Sequence, residues 1–213
     1  MGKSVVELCN TALGRLGISQ FIASLDEQSN EARTCRVFYE NTRNRVLTDM
    51  PWNFAKRTAD LQDIGSPPPG WTYRFRYPND CLKVRSIIST ELTGYPTQYL
   101  YPGDINYTND PQIPYEVIED EASGGLAIVC NLSPVSLVYT AQITNLMLFS
   151  QLAFDTLGWA LASDIAAPLS AAPNMAQSAA NAYTSALLRA GASMMNESRP
   201  NADPTSELIL ARQ

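Results

Sequence analysis

The amino-acid sequence predicts an α+β protein: an α-helical bundle, an inserted antiparallel β domain and an extended C-terminal arm. Apolar residues recur at helical spacing in two segments near the start of the chain, and this spacing returns after residue 145. Between these segments lie short alternating runs broken by turn-forming residues. The predicted bundle therefore comprises residues 1–53 and 145–198, the β domain residues 54–144, and the arm residues 199–213.

Two helices are predicted before residue 53. The first spans residues 5–16, because Ser4 and Glu7 form a capping box and Gly17 stands where a helix ends. The second begins near Asn30 and ends before Pro51, since apolar and small residues step by three and four between them. Proline also disfavours helical backbone at the residue before it.

The run "PWNF" marks the crossing from the second helix into the β domain. Pro51 stops the helix, and Trp52 and Phe54 are two residues apart, so their side chains can point the same way. We therefore predict that Pro51, Trp52 and Phe54 form an interdomain junction that fixes one domain against the other.

Runs of strand length follow this junction. They are separated by Pro-Pro-Pro-Gly, Pro-Asn-Asp, Gly-Gly and Ser-Pro, and read "WTYRFRY", "CLKVRSI", "YEVIED", "LAIVC" and "SLVYTAQI". A loop rich in Tyr, Pro and Asn interrupts them at residues 93–114, and such loops contact a partner or pack on their own aromatic rings.

Two more helices are predicted after residue 145. One has an apolar face from Leu146 to Ile165, and the next begins around Pro173 and is rich in alanine, which lets helices approach closely. Between residues 122 and 196 the only charged side chains belong to Asp155, Asp164 and Arg189. So few charges predict that neighbouring protein covers this part. The predicted subunit-interface residues are Leu152, Leu157, Ala179, Ala182 and Ala186.

Composition argues against several kinds of site. The chain has no histidine, which removes His-based triads and most zinc sites. Its four cysteines form no CxxC pair and are expected to be reduced thiols in the core rather than disulfides. No signal peptide is expected, and the most apolar window carries Gln151 and Asp155, so it makes a poor membrane span. No catalytic, metal-binding or cofactor-binding residue is predicted.

Charge is distributed unevenly. The net charge is −6, with 12 Lys and Arg against 10 Asp and Glu in residues 1–100, and 3 against 11 in residues 101–213. This balance argues against a protein that binds DNA by neutralising phosphates. Asp80 and Lys83 faintly suggest a metal nuclease, but no ExK motif follows them. The acidic run at residues 119–121 lacks the oxygen spacing of a calcium loop and is expected to be a turn surface.

Six segments, in order, resemble the tail tubular protein A family, the head-to-tail adaptors or gatekeepers of short-tailed bacteriophages. They lie between Val5 and Ser198 and read "ELCNTALGRLG", "ASLDEQSNEARTCRVFYENTRNRVL", "PWNFAKR", "YRFRYPNDCLKV", "LVYTAQIT" and "ALASDIAAPL". No single segment is specific, whereas their order is. The sequence departs from the family pattern at Tyr77, where an aliphatic residue is expected, and at Asn145, where aspartate is usual.

The resemblance implies a structural virion protein of the tail, made in the host cytoplasm and placed at the neck of the particle. It implies a dodecameric ring under the portal protein, with the tail nozzle protein below, tail fibres as a further partner, and DNA passing through without sequence recognition. It implies no enzymatic activity, cofactor or membrane. Two hypotheses follow for this chain. Glu119, Asp120 and Glu121 line the channel and repel DNA, and the apolar tip of the arm docks on the portal or another partner. The residues of this tip are Leu208, Ile209 and Leu210.

Two other functions stay open at this stage. One is a tail-associated polysaccharide or cell-wall hydrolase, although no carboxylate pair stands out in the sequence. The other is a different head-completion protein. For the arm, the alternative to docking is a segment without fixed structure.

Overall fold

The computed structural model describes residues 3–89, 113–120, 124–169 and 171–197. Within these ranges the chain forms four α-helices and two three-stranded antiparallel sheets, which confirms the α+β class. The helices are α1 (Val5–Arg15), α2 (Asn30–Asp49), α3 (Gln151–Ile165) and α4 (Pro173–Glu197). The strands lie between α2 and α3 in the sequence, as the periodicity predicted.

The ends of α1 follow the predicted capping signals. The Ser4 hydroxyl accepts a hydrogen bond from the backbone N–H of Glu7 at 3.1 Å. After the helix, Gly17 has a φ of 75°, and its N–H donates to the carbonyl of Gly14, while the N–H of Ile18 donates to that of Leu13. This pair of bonds is a Schellman motif, whose left-handed position favours glycine.

The helix α3 begins later than its apolar pattern suggested. Leu146–Leu148 form a separate 3-10 turn, capped by the Asn145 carboxamide, which accepts from the N–H of Met147 at 3.0 Å. Ser150 then caps α3 by accepting from the N–H of Ala153 at 3.1 Å. Two capping side chains in succession divide what looks in sequence like one apolar face.

The strands are β1 (Lys56–Asp60), β2 (Tyr73–Arg76), β3 (Cys81–Ile88), β4 (Tyr115–Asp120), β5 (Gly125–Cys130) and β6 (Ser136–Ala141). Their order is β1-β6-β3 in one sheet and β2-β5-β4 in the other. Each of the strand-like runs contains a strand, whereas β1 was not predicted. Its sequence, KRTAD, lacks the alternation of a half-buried strand because β1 is an exposed edge strand.

The helix α3 is central to the helical part, because it packs against α1, α2 and α4. Its side chains Leu157, Leu161 and Ile165 are fully buried. The helix α2 also contacts β3 and β6, and a single cluster of buried apolar residues extends from the helices into both sheets. The segments before and after the β region are therefore packed together through one core.

All four cysteines are free thiols. Cys9, Cys35 and Cys130 are buried, and Cys81 is half-buried. A hydrogen bond with the Cys35 thiol, together with burial, raises the pKa of Cys9, so this thiol stays protonated at neutral pH. Among the helices of the described residues, none is long and apolar enough to cross a bilayer.

Candidate functional site

Trp52 links α2 to the sheet that contains β3. Its side chain is 2% exposed, and its indole N–H donates to the carbonyl of Val46 in α2 at 2.8 Å. Its own carbonyl accepts from the guanidinium of Arg85 in β3 at 2.7 Å. Arg85 donates at 2.9 Å to the hydroxyl of Thr140 in β6, and burial lowers the pKa of its guanidinium. The predicted junction residue thus joins one helix and two strands.

An aromatic row connects this junction to the segment before α3. The ring centroids of Trp52 and Phe54 are 5.7 Å apart, and those of Phe54 and Phe149 are 4.7 Å apart. These distances suit tilted aromatic pairs. Phe149, which the sequence suggested as part of a helical face, is 2% exposed and belongs to this row. Pro51 is exposed beside it.

A cavity of about 170 Å³ opens beside the aromatic row. We name it the junction groove and define it by its six apolar lining residues. They are Trp52, Phe54, Leu148, Leu152, Ala190 and Met194. Its remaining lining residues, Asn53, Ser150 and Ser193, are polar and uncharged. The groove offers apolar surface and hydrogen-bonding groups, and none of its described lining residues is an acid or a base.

The sequence did not predict the junction groove, because it is built from three distant segments. Leu148 is 53% exposed and Leu152 is 38% exposed, although both lie in the segment that was assigned to one helix with an apolar face. The 3-10 turn before α3 rotates Leu148 out of the core. The only sequence signal was the paired capping residues Asn145 and Ser150 within that pattern.

The predicted subunit-interface residues divide into two groups. Leu157, Ala179 and Ala186 are 0%, 2% and 3% exposed within the single chain, so they have no surface left for a second copy. Their apolar spacing reflects the packing of α3 against α4, and the interface hypothesis is corrected at these positions. Leu152 is partly exposed and Ala182 is half-buried, so the hypothesis is retained for these two residues.

The outer face of α4 is the surface on which the scarcity of charge is visible. Leu188 and Met195 on this face are 69% and 60% exposed. Among the residues of α4 whose exposure the structure describes, Arg189 is the only charged one on this face. We define the outer face by Asn174, Gln177, Ser178, Asn181, Thr184, Ser185, Leu188, Arg189, Ala192 and Met195, all of which are exposed.

The acidic residues proposed for a channel have different environments. Glu119 is exposed. Asp120 is 6% exposed, and its carboxylate accepts from the guanidinium of Arg74 at 3.2 Å, so the channel hypothesis is corrected at this position. Glu121 and the whole predicted arm, including its tip, lie outside the described residues. Most of the predicted Tyr, Pro and Asn loop does so as well.

The pair Asp80 and Lys83 has structural partners. The Asp80 carboxylate accepts from the Arg57 guanidinium at 2.5 Å and from the Tyr139 hydroxyl at 3.0 Å. Lys83 donates to the carbonyl of Thr48 at 3.4 Å. Burial, and then the Asp80 carboxylate, raise the pKa of Tyr139. Within the described parts of the chain, no group of three or more His, Cys, Asp or Glu side chains could hold a metal ion.

Comparison with known proteins adds no family assignment. A scan against protein-family models gave no match, and a search of curated proteins gave none.

Proposed function

We propose that this chain is a head-to-tail adaptor of a short-tailed bacteriophage, a ring subunit between the portal and the tail nozzle through which DNA passes. The resemblance of six ordered segments motivates this proposal. The structural observation that carries it is the outer face of α4, where Leu188 and Met195 are exposed among side chains that are uncharged apart from Arg189. Exposed helix faces ordinarily carry charges, whereas the cores of protein interfaces are depleted in them.

In a ring, each subunit contacts the next through two different surfaces. We assign the outer face of α4 to one of these surfaces, together with Ala182. Apart from Arg189, the side chains of this face are uncharged, so packing there requires little desolvation of ions.

Glu119 is the described residue that supports the channel hypothesis, because its carboxylate is exposed. A carboxylate facing the lumen would repel DNA and keep it from adhering during passage. A cryo-EM map of the assembled ring tests this assignment. A position of Glu119 on the outer wall would contradict it.

The ring is tested by mass measurement in solution. The purified full chain is analysed by light scattering, alone and with the portal protein encoded by the same phage genome. We expect the wild-type chain to form a ring with the portal, and Leu188→Asp to reduce the ring fraction at least about tenfold, since it places a charge in an interface core.

Val37→Asp is the matched control, because Val37 is an apolar helical residue of similar exposure, 65%, on α2. We expect this variant to assemble as the wild type does. If Leu188→Asp and Val37→Asp assemble to the same extent, the assignment of α4 to the interface is contradicted. A wild-type chain that never forms a ring would contradict the adaptor function itself.

A further inference from the structure

The junction groove lies next to the place where the described chain ends. Ser193 and Met194 line the groove, and α4 ends at Glu197, only three or four residues later. At 1.5 Å per helical residue, this separation is about 5 Å along the helix axis. Whatever follows α4 therefore starts beside an open apolar cavity.

The sequence that follows α4 has an apolar tip at a suitable distance. Residues 198–207 precede Leu208, Ile209 and Leu210, and they include Pro200 and Pro204. A ten-residue linker has an average end-to-end distance of about 17 Å as a flexible chain, and about 33 Å when fully extended. Both lengths exceed the distance back to the groove, so the tip can reach it without strain.

We propose that Leu208, Ile209 and Leu210 of the same chain occupy the junction groove. The cavity of about 170 Å³ is similar to apolar cavities of about 150 Å³ that hold benzene, so it has room for one or two aliphatic side chains. Asn53, Ser150 and Ser193 place polar side chains at the groove, where they can hydrogen-bond the backbone of a short segment.

Two arguments select the chain's own tip as the occupant. A short tether gives the tip an effective concentration in the millimolar range at the groove, far above that of a second copy in dilute solution. The groove also leaves Leu148 and Leu152 partly exposed, and an aliphatic segment covers such surface favourably. This inference does not depend on the adaptor function.

Amide hydrogen exchange of the full chain, measured by mass spectrometry without any portal protein, tests the proposal. The wild type is compared with the triple variant Leu208→Asp, Ile209→Asp, Leu210→Asp. We expect amides of segment 146–153 to exchange about ten times faster in the variant, because a tip at an effective concentration of about 1 mM gives roughly that protection to a groove that binds it with a dissociation constant of about 0.1 mM. Equal exchange in the two proteins would overturn the proposal.

A matched control separates docking from charge. The triple variant Ala202→Asp, Thr205→Asp, Ser206→Asp adds the same three charges within the tether and should exchange as the wild type does. If amide exchange of segment 146–153 is accelerated in this tether variant as much as in the tip variant, the added charge explains the effect and the proposal is overturned.

A substitution in the groove itself provides an independent test. Leu148→Asp should release the tip, so that the amides of residues 208–211 exchange faster, whereas Val37→Asp on α2 should leave them protected. Protection in the wild type should be the same over a wide range of protein concentration. Protection that grows with concentration would identify a second copy as the occupant and would overturn docking within one chain.

Discussion

At the scale of single residues, Trp52 combines a large buried ring with two backbone hydrogen bonds to different elements. Its indole N–H bonds to the carbonyl of Val46, and its carbonyl bonds to Arg85. A buried carbonyl without a donor carries a desolvation cost. Trp52 therefore stabilises the fold in two ways: its indole N–H satisfies the Val46 carbonyl, and its ring fills space in the core.

Replacing Trp52 separates these two contributions. We expect Trp52→Phe to lower the free energy of unfolding by about 1–2 kcal/mol, since it keeps an aromatic ring and loses the hydrogen bond. Trp52→Ala should lower it by about 3–5 kcal/mol. Urea unfolding measures both values. Trp71→Phe is the control, because Trp71 is half-buried, and a loss as large as that in Trp52→Phe would contradict the special role of the indole.

Adjacent carboxylates on β4 show how differently neighbours in sequence can behave. Glu119 is exposed, while Asp120 is buried and paired with Arg74 of β2. The sequence offered no means to separate them, because the acidic run does not reveal which carboxylate faces the basic side chain of another strand.

The isosteric pair Asp120→Asn and Glu119→Gln tests this difference. Asp120→Asn leaves the Arg74 guanidinium without its carboxylate, and we expect a loss of about 3 kcal/mol in the free energy of unfolding. Glu119→Gln should change it by less than about 0.5 kcal/mol. Denaturant titration measures the free energy of unfolding of both variants. Similar losses in the two would show that the ion pair of Asp120 with Arg74 contributes little.

At the scale of elements, α1 and α3 are held together by Arg15. Its guanidinium donates to the backbone carbonyl of Asp155 at 3.0 Å, forms an ion pair with the Asp155 carboxylate, and lies 4.1 Å from the ring centre of Trp159. Gly158 makes room for it, since a Cβ at that position would stand 2.7 Å from the Arg15 guanidinium. A side chain at position 158 would therefore have to displace the end of the Arg15 side chain.

Two glycine substitutions should therefore change the free energy of unfolding in opposite directions. Gly14→Ala should stabilise the protein by about 0.5 kcal/mol, because alanine favours a helix and its Cβ meets only Phe21 at an ordinary 3.6 Å. Gly158→Ala should destabilise it by about 1 kcal/mol, because the loss of the Arg15 contacts outweighs the helix propensity that alanine adds. Thermal and urea unfolding measure both, and a stabilising Gly158→Ala would contradict the packing role.

Elements with strong local signals were predictable from the sequence. The ends of α1 and α2 follow from Ser4, Gly17 and Pro51, which act within a few residues of themselves. The strand β1 was missed because an edge strand needs no apolar alternation. The junction groove was missed because Trp52 and Met194 meet only after the chain has returned to the first helices, and local patterns do not encode such contacts.

At the scale of the whole molecule, the apolar pattern of α3 and α4 indicated burial but not the partner. Leu157 and Ala179 are covered by the same chain, whereas Leu188 is 69% exposed. Both kinds of residue satisfy a helical apolar repeat. Only the three-dimensional packing tells a core position from a position that can meet another subunit.

Buried tyrosines distributed over the molecule predict that the free energy of unfolding depends on pH in the alkaline range. Burial raises the pKa of Tyr39, Tyr77, Tyr115 and Tyr183, and the Asp49 carboxylate that accepts from the Tyr183 hydroxyl raises that of Tyr183 further. A pKa that is higher in the folded state stabilises the protein fully below the unfolded value, about 10 for tyrosine, and this stabilisation is lost as pH rises above it.

We expect the free energy of unfolding to fall above about pH 9–10, where thiols and phenols titrate when unfolded. The chain has no histidine to add a dependence near pH 6.5. Urea unfolding across this range, with phenolate absorbance recorded in parallel, measures the loss. In Tyr183→Phe the loss should be smaller than in the wild type. Stability that stays constant to pH 11 would contradict the argument.

The position of α3 at the centre of the helical part has a consequence for synthesis on the ribosome. The helices α1 and α2 emerge first, yet the helix that covers their apolar sides begins at Gln151, and β1 pairs with β6, which begins at Ser136. At about 5–20 residues per second, the nascent N-terminal helices wait several seconds for these partners. The helices α1 and α2 thus complete their packing only after α3 has been synthesised, and an incomplete chain exposes the surface that α3 later covers.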